Sequence, residues 1–200
     1  MSSKANSVKV RQRVQINMAQ GKAEFVSFTG LHDNKEHVAL IFNKADQATA
    51  PKVRIHSECF TGDIFQSARC DCGNQLNEAI SKFGDESGII LYMRQEGRGI
   101  GLYNKLDAYK LQDSGIDTFE ANHRLGFGHD ERDYKAAGDM LKALSVTKIQ
   151  LMTNNPKKIK GLEEQDIEVV KNFNTGTYLN PSNVNYLRAK IEKDGHTIAL

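Results

Sequence analysis

Arg54-Ile-His-Ser-Glu-Cys59, Cys70-Asp-Cys72 and Arg94-Gln-Glu-Gly-Arg98 punctuate one stretch, 54–98, that holds every cysteine of the chain. Its reading sets the fold. The segment 53–57 reads as a strand and delivers Glu58 and Cys59 at its end. Within 73–83 the apolar positions Leu76, Ala79, Ile80 and Phe83 fall at helical spacing, which predicts one buried stripe, with Gly84 as the stop. The run 88–93 is uninterrupted and apolar, the mark of a strand buried on both faces.

The three cysteines are spaced C-x10-C-x-C, with a turn through Thr61-Gly62-Asp63 bringing the chain back. Zinc takes four ligands in a closed structural site and three protein ligands plus water in a catalytic one. With no fourth cysteine, an open hydrolytic position is the natural reading. Reduced, buried cysteines are the bland alternative. Three thiols in a polar segment with His56, Glu58, Asp63, Arg69 and Asp71 favour metal. No H-E-x-x-H occurs, and His123 and His129 lack a partner at helical spacing.

Working outward, 8–18, the turn 19–22 and 23–29 read as a hairpin, because apolar residues alternate around a glycine turn. Residues 37–43 form a further apolar run of strand length. The front of the chain, 53–57 included, therefore reads as an antiparallel β region. Beyond the cysteines, helices are expected over 104–114, 130–145 and 156–165, the last with proline in its first turn. Strands are expected over 148–153 and 167–170, a loop over 172–182, and an exposed helix over 183–194. The fold class is α+β, or mixed α/β: antiparallel strands followed by alternating strands and helices in a single domain over 8–200. The polar residues 1–7 read as disordered.

Two hundred residues with three cysteines and a net charge of +2 suit one globular domain without a disulfide framework. That charge gives no reason to expect nucleic acid or a membrane surface. No apolar run approaches the roughly 18 residues of a membrane span, and 1–10 lacks a secretory apolar core. A cytoplasmic protein is expected.

Six segments together resemble a known family. They are His56-Ser-Glu-Cys-Phe-Thr-Gly-Asp63, Ser67-Ala-Arg-Cys-Asp-Cys-Gly73, Arg94-Gln-Glu-Gly-Arg-Gly-Ile-Gly-Leu102, Glu120-Ala-Asn-His123, Asp130-Glu-Arg-Asp-Tyr134 and Thr153-Asn-Asn-Pro-Lys-Lys158. In that order, from about residue 10 onward, they resemble GTP cyclohydrolase II, the zinc enzyme that opens GTP at the start of riboflavin synthesis. The resemblance implies one Zn2+ per subunit on Cys59, Cys70 and Cys72, Mg2+ with the substrate phosphates, and a homodimer. It implies Tyr109 in ring hydrolysis, with Asp130 as general base and Arg132 as nucleophile at the α-phosphate. A guanidinium is not readily deprotonated, so for Arg132 a phosphate clamp is the simpler role. Residues two apart on a helix do not face one another; if Asp130 and Arg132 cooperate, the segment is non-helical there, with Asp130 near the cap.

Arg54, Ile55, His56, Ser57 and Glu58, together with Gln75, Glu96, Gly97, Arg98, Thr118, Thr153 and Lys158, are expected to bind GTP. Glu96 or Gln75 is the type of acceptor that guanine's N–H and amino groups require. Gly97, Gly99 and Gly101 fail the G-x-G-x-x-G fingerprint and read better as a permissive loop. Lys157 reads as a solvated neighbour of Lys158. His56-Ser-Glu58 also fits the H-x-E half of a zinc deaminase, but the P-C-x-x-C half is absent. A zinc-stabilised binding module remains the non-enzymatic alternative.

Overall fold

A computed structural model describes residues 7–128 and 130–198, leaving residues 1–6 of the expected disordered segment and His129 outside the described part. Seven strands form one sheet: β1 (Lys9–Met18), β2 (Gly21–Thr29), β3 (Val38–Phe42), β4 (Lys52–Ser57), β5 (Gly88–Met93), β6 (Lys148–Met152) and β7 (Glu168–Phe173). Their spatial order is β1-β2-β3-β5-β4-β6-β7. The first three strands and the β3–β5 pair are antiparallel, with Met18 facing Gly21 across a two-residue turn. From β5 onward the pairing is parallel.

β4 is thus a correction to the expected antiparallel front, because it enters between β5 and β6 and runs parallel to both. The strand following it in sequence returns through a helix, and a crossover of that kind demands parallel pairing. That helix is α2 (Cys72–Asp85). It passes through Gly84 rather than stopping there, since the Glu86 amide still bonds to Lys82.

Period-two alternation along β5 divides the core. Ile89, Leu91 and Met93 join a cluster with Ala137, Met140 and Leu141 of α5 (Lys135–Ala143) and Leu162 of α6 (Pro156–Glu163). Ile90 points the other way, toward Phe42, Ala79 and Phe83. Both faces of the central strand are covered, which accounts for its unbroken apolar sequence.

Several boundaries depart from expectation. α5 starts at Lys135, so Asp130 and Arg132 lie in an irregular approach and Asp130 is not its N-cap. β7 reaches Phe173 because it pairs with Met152, shortening the expected loop. Helices α1 (Phe60–Asp63), α3 (Leu102–Asp113) and α4 (Thr118–Arg124) complete the middle of the chain, α4 at a place where no element was expected. The last helix, α7 (Val184–Asp194), is not simply exposed: Leu187 is fully buried and Lys190 is 9% exposed.

The ends of β4, β5 and β6 all open at the same edge of the sheet, where ligands bind in open parallel sheets. Packing behind that edge is tight. A Cβ on Gly88 would come within 2.3 Å of the Phe83 ring. Gly88→Ala is therefore expected to lower stability by about 1–3 kcal/mol through overpacking; an unchanged urea midpoint would show that the ring has room to move.

Candidate active site

The end of β4 places Cys59 just before the single turn of α1, and α1 folds the chain back so that Cys70 and Cys72 meet it at the start of α2. The three sulfurs lie within 4.8 Å of one another, with Cys59 Sγ and Cys70 Sγ 3.6 Å apart. Sulfurs on one tetrahedral ion with bonds of about 2.3 Å stand about 3.8 Å apart. The donor set and its spacing therefore suit a thiophilic metal ion and are consistent with zinc. Among the described residues no further His, Cys, Asp or Glu joins the group.

Hydrogen bonds from the other two thiols hold Cys59 far below the usual thiol range; the bond with Cys59 pushes Cys70 up to about 11 against the opposite pull of Cys72, and bonds with both push Cys72 well up. Two glycines make the approach possible. A Cβ on Gly62 would fall 2.8 Å from Cys70 Sγ and 3.0 Å from Cys59 Sγ, and one on Gly73 would fall 2.3 Å from the Gly62 carbonyl oxygen.

Asp63 braces this corner. Its Oδ2 accepts from the Cys59 amide at 3.0 Å and from the Tyr92 hydroxyl at 2.9 Å, and both oxygens lie 3.1 Å from His56 Nε2. His56 stacks on Tyr92. Burial pulls the His56 imidazole below its ordinary value against the opposing pull of Asp63, and burial acts likewise on His37. With Nε2 donating to Asp63, His56 Nδ1 is a buried acceptor without a protein partner.

A cleft of about 710 Å³ is lined by the three cysteines and by a cluster of cations. Arg54, Lys105 and Lys158 are buried positive groups in its lining, Arg132 is half-buried, and α7 adds the buried Lys190. Burial pushes the Lys158 ammonium well down, and Arg54, Arg132 and Lys190 push it further; its Nζ donates to the Ile55 carbonyl at 2.7 Å. Burial also opposes the charge on Arg132, but hydrogen bonds from its Nε and Nη2 to Asp130, at 2.7 and 2.6 Å, outweigh that and raise it above an ordinary guanidinium. Asp130 experiences the same opposition of burial and Arg132, and its carboxyl ends below the usual range. Such crowding of cations is costly until an anion arrives.

Most expected residues converge here. Arg54, His56, Ser57, Glu58, Gln75, Glu96, Gly97, Arg98, Tyr109, Arg132, Thr153 and Lys158 line the cleft with the cysteines. Asp130 reaches it through Arg132. Ile55 does not: its side chain is wholly in the core, and only its carbonyl faces Lys158. The Thr118 side chain lies outside the described part. Tyr109 stands under Arg69, with burial pushing its phenol up to about 12 against the pull of Lys105.

The two expected base readers are already engaged. Glu96 accepts from Lys105 Nζ at 2.8 Å and from the amides of Phe60 and Gly97 at 2.5 and 2.6 Å. Gln75 accepts from Arg54 and donates to Asp71 and the Gly176 carbonyl. Atoms without a protein partner are instead Arg54 Nε, His56 Nδ1, Ser57 Oγ, Gln95 Oε1 and Asn155 Nδ2, all on residues lining the cleft. Arg98 and Gly97 adopt positive φ, and a Cβ on Gly99 would sit 3.0 Å from the Glu131 backbone, so the glycine loop serves a close turn.

Sequence reasoning missed Gln95, Lys105, Tyr186 and Lys190, which also line the cleft. Lys105 precedes Tyr109 by one helical turn and shares its face, a signal available in the sequence. Lys190 and Tyr186 lie on a helix whose polar composition reads as solvent-facing.

Thiols that could hold a metal ion converge on one point beside a cationic pocket, at the open end of parallel strands, an arrangement that suits a hydrolytic enzyme. The family is that of GTP cyclohydrolase II, to which this chain belongs: the family model matches residues 9–174. A GTP cyclohydrolase-2 of Psychromonas ingrahamii is 54% identical over 95% of this chain and 97% of its own length. One of Vibrio cholerae is 57% identical over 89% of this chain and 90% of its own, and one of Vibrio parahaemolyticus 56% identical over 88% and 89%.

Gly62→Ala is expected to keep the sheet, as judged by circular dichroism, but to lose most bound metal; full metal occupancy would show that α1 can shift outward. A second expectation concerns pH. His37 and His56 bind fewer protons folded than unfolded, so their contribution is present above the unfolded value near 6.5 and is lost as pH falls below it. The urea midpoint should drop between pH 7.5 and about 5.5, and less steeply in His37→Gln.

Proposed function

We propose that this chain hydrolyses GTP to 2,5-diamino-6-ribosylamino-4(3H)-pyrimidinone 5′-phosphate, formate and pyrophosphate, the entry step of riboflavin synthesis. The observation that carries this reading is one cleft lined both by the three sulfurs and by the cations Arg54, Arg132 and Lys158. A purine and its polyphosphate tail require that pairing of a hydrolytic centre with an anion site. Zn2+ on Cys59, Cys70 and Cys72 would supply Lewis acidity to activate water for attack at carbon-8 of guanine.

The chain's own residues do the rest. Lys158, Arg54 and Arg132 hold the phosphates by charge-assisted hydrogen bonds. Asn155 caps α6 by accepting from the Lys157 amide at 2.9 Å, leaving that helix start directed at the same pocket. Arg132 acts as a clamp rather than a nucleophile, because its guanidinium is held charged by Asp130. When a phosphate takes over Arg132, Asp130 loses its main stabilising partner and becomes a better proton acceptor. Tyr109, kept protonated at neutral pH, is placed to donate or hold a proton near the sulfurs. His56 Nδ1, Ser57 Oγ and Gln95 Oε1 are the free polar atoms for the nucleoside.

Mg2+ accompanies the phosphates in this reading, and the chain works as a cytoplasmic homodimer without nucleic acid or membrane. Among the described residues no helix is long and apolar enough to cross a membrane.

The test is incubation of zinc-loaded protein with GTP and identification of all products by mass. Formate, pyrophosphate and the diaminopyrimidine are expected, and Cys70→Ser should abolish formate. Ammonia in place of formate would point to deamination, and a retained formamide to an enzyme that stops after ring opening. Undiminished formate from a metal-free Cys70→Ser variant would overturn the mechanism.

A further inference from the structure

We propose that Lys105 is a positioning residue of the metal centre, its ammonium bonded to Cys59 Sγ so as to offset the charge of the thiolates and tie the sulfur cradle to the Glu96–Arg98 loop. This rests on reading the three cysteines as a metal site.

Lys105 is 8% exposed and sits in the first turns of α3, where the helix dipole disfavours a cation. Burying an ammonium there is costly unless each of its donors is met. They are met: Nζ donates to Glu96 Oε1 at 2.8 Å, to Thr61 Oγ1 at 3.1 Å and to Cys59 Sγ at 3.3 Å. An ammonium has three donors, so none is left over for substrate. Its action is through the groups it holds.

Those partners lie on two separate segments. Cys59 and Thr61 belong to the turn that makes the cradle, and Glu96 opens the loop after β5. Glu96 in turn binds the amide of Phe60, next to Cys59, and that of Gly97 in its own loop. A buried structural ion pair with Glu96 would account for the first contact but not for the sulfur. Three thiolates around a divalent ion leave one net negative charge in a buried place. An ammonium against one sulfur offsets it and steadies that ligand, as outer partners of metal ligands commonly do.

The experiment compares wild type, Lys105→Met, Lys105→Gln and Lys105→Arg, with no GTP present. Zn2+ affinity is measured by chelator competition, and the sulfur-to-metal charge-transfer band is measured with Co2+ in place of Zn2+. Lys105→Met is expected to weaken Zn2+ binding about 10–100-fold and to shift the band, with Lys105→Arg restoring most of both. Lys105→Gln keeps a donor without the charge and should follow Lys105→Met; it decides the matter if the Met variant does not fold. Wild-type affinity and an unshifted band in a folded Met or Gln variant would overturn the role of Lys105. A wild-type chain that binds no Zn2+ would instead overturn the metal reading itself.

Discussion

Bringing three sulfur atoms to one point is the constraint on which the rest of this structure depends. The chain meets it with backbone rather than bulk. Gly62 sits where any side chain would strike the sulfurs, and Gly73 sits where any side chain would strike Gly62. The one-turn helix and the long helix therefore touch main chain to main chain. Asp63 then fixes the turn to β4 and β5 through the Cys59 amide, His56 and Tyr92. A rigid sheet edge is thereby transmitted to a small loop, the precondition for a preorganised centre.

The cations of the cleft obey a different rule. Arg54, Arg132, Lys158 and Lys190 come from β4, the approach to α5, the start of α6 and α7, so the pocket draws on every layer of the fold. Their mutual repulsion and loss of water are offset only in part by Asp71 and Asp130. The residual imbalance works against stability and in favour of binding, a common exchange at functional sites. The Asp130–Arg132 fork holds one of these cations in a closed pair, from which, in the proposed function, an incoming phosphate would have to displace the carboxylate.

Much of this was legible in the sequence because the informative features are local. The C-x10-C-x-C spacing, the hairpin turn before Gly21, the unbroken run of β5 and the Thr153–Lys158 entry into α6 each depend on near neighbours. What escaped depends on distant ones. The direction of β4 is decided by which strands flank it, and the start of α5 by the use of the Asp130–Tyr134 approach to reach the cleft. Glu96 and Gln75 have the chemistry of base readers, and only the folded chain shows that their oxygens also accept from Lys105, backbone amides and Arg54. Lys190 looks like an ordinary surface lysine until the chain is folded, whereas Lys105 carries only its helical spacing to Tyr109 as a signal. Ile55 shows the converse, since its place within a recognised segment concealed that only its carbonyl faces the site.

The cationic pocket has a consequence for selectivity inside a cell. In the proposed function its grip is on phosphate oxygens, and adenine nucleotides carry the same tail. ATP, usually the more abundant triphosphate, would therefore compete for Lys158, Arg54 and Arg132 as an unreactive occupant. In that reading discrimination would fall to the unpaired atoms of His56, Ser57 and Gln95, because an amino purine and an oxo purine present opposite hydrogen-bonding faces.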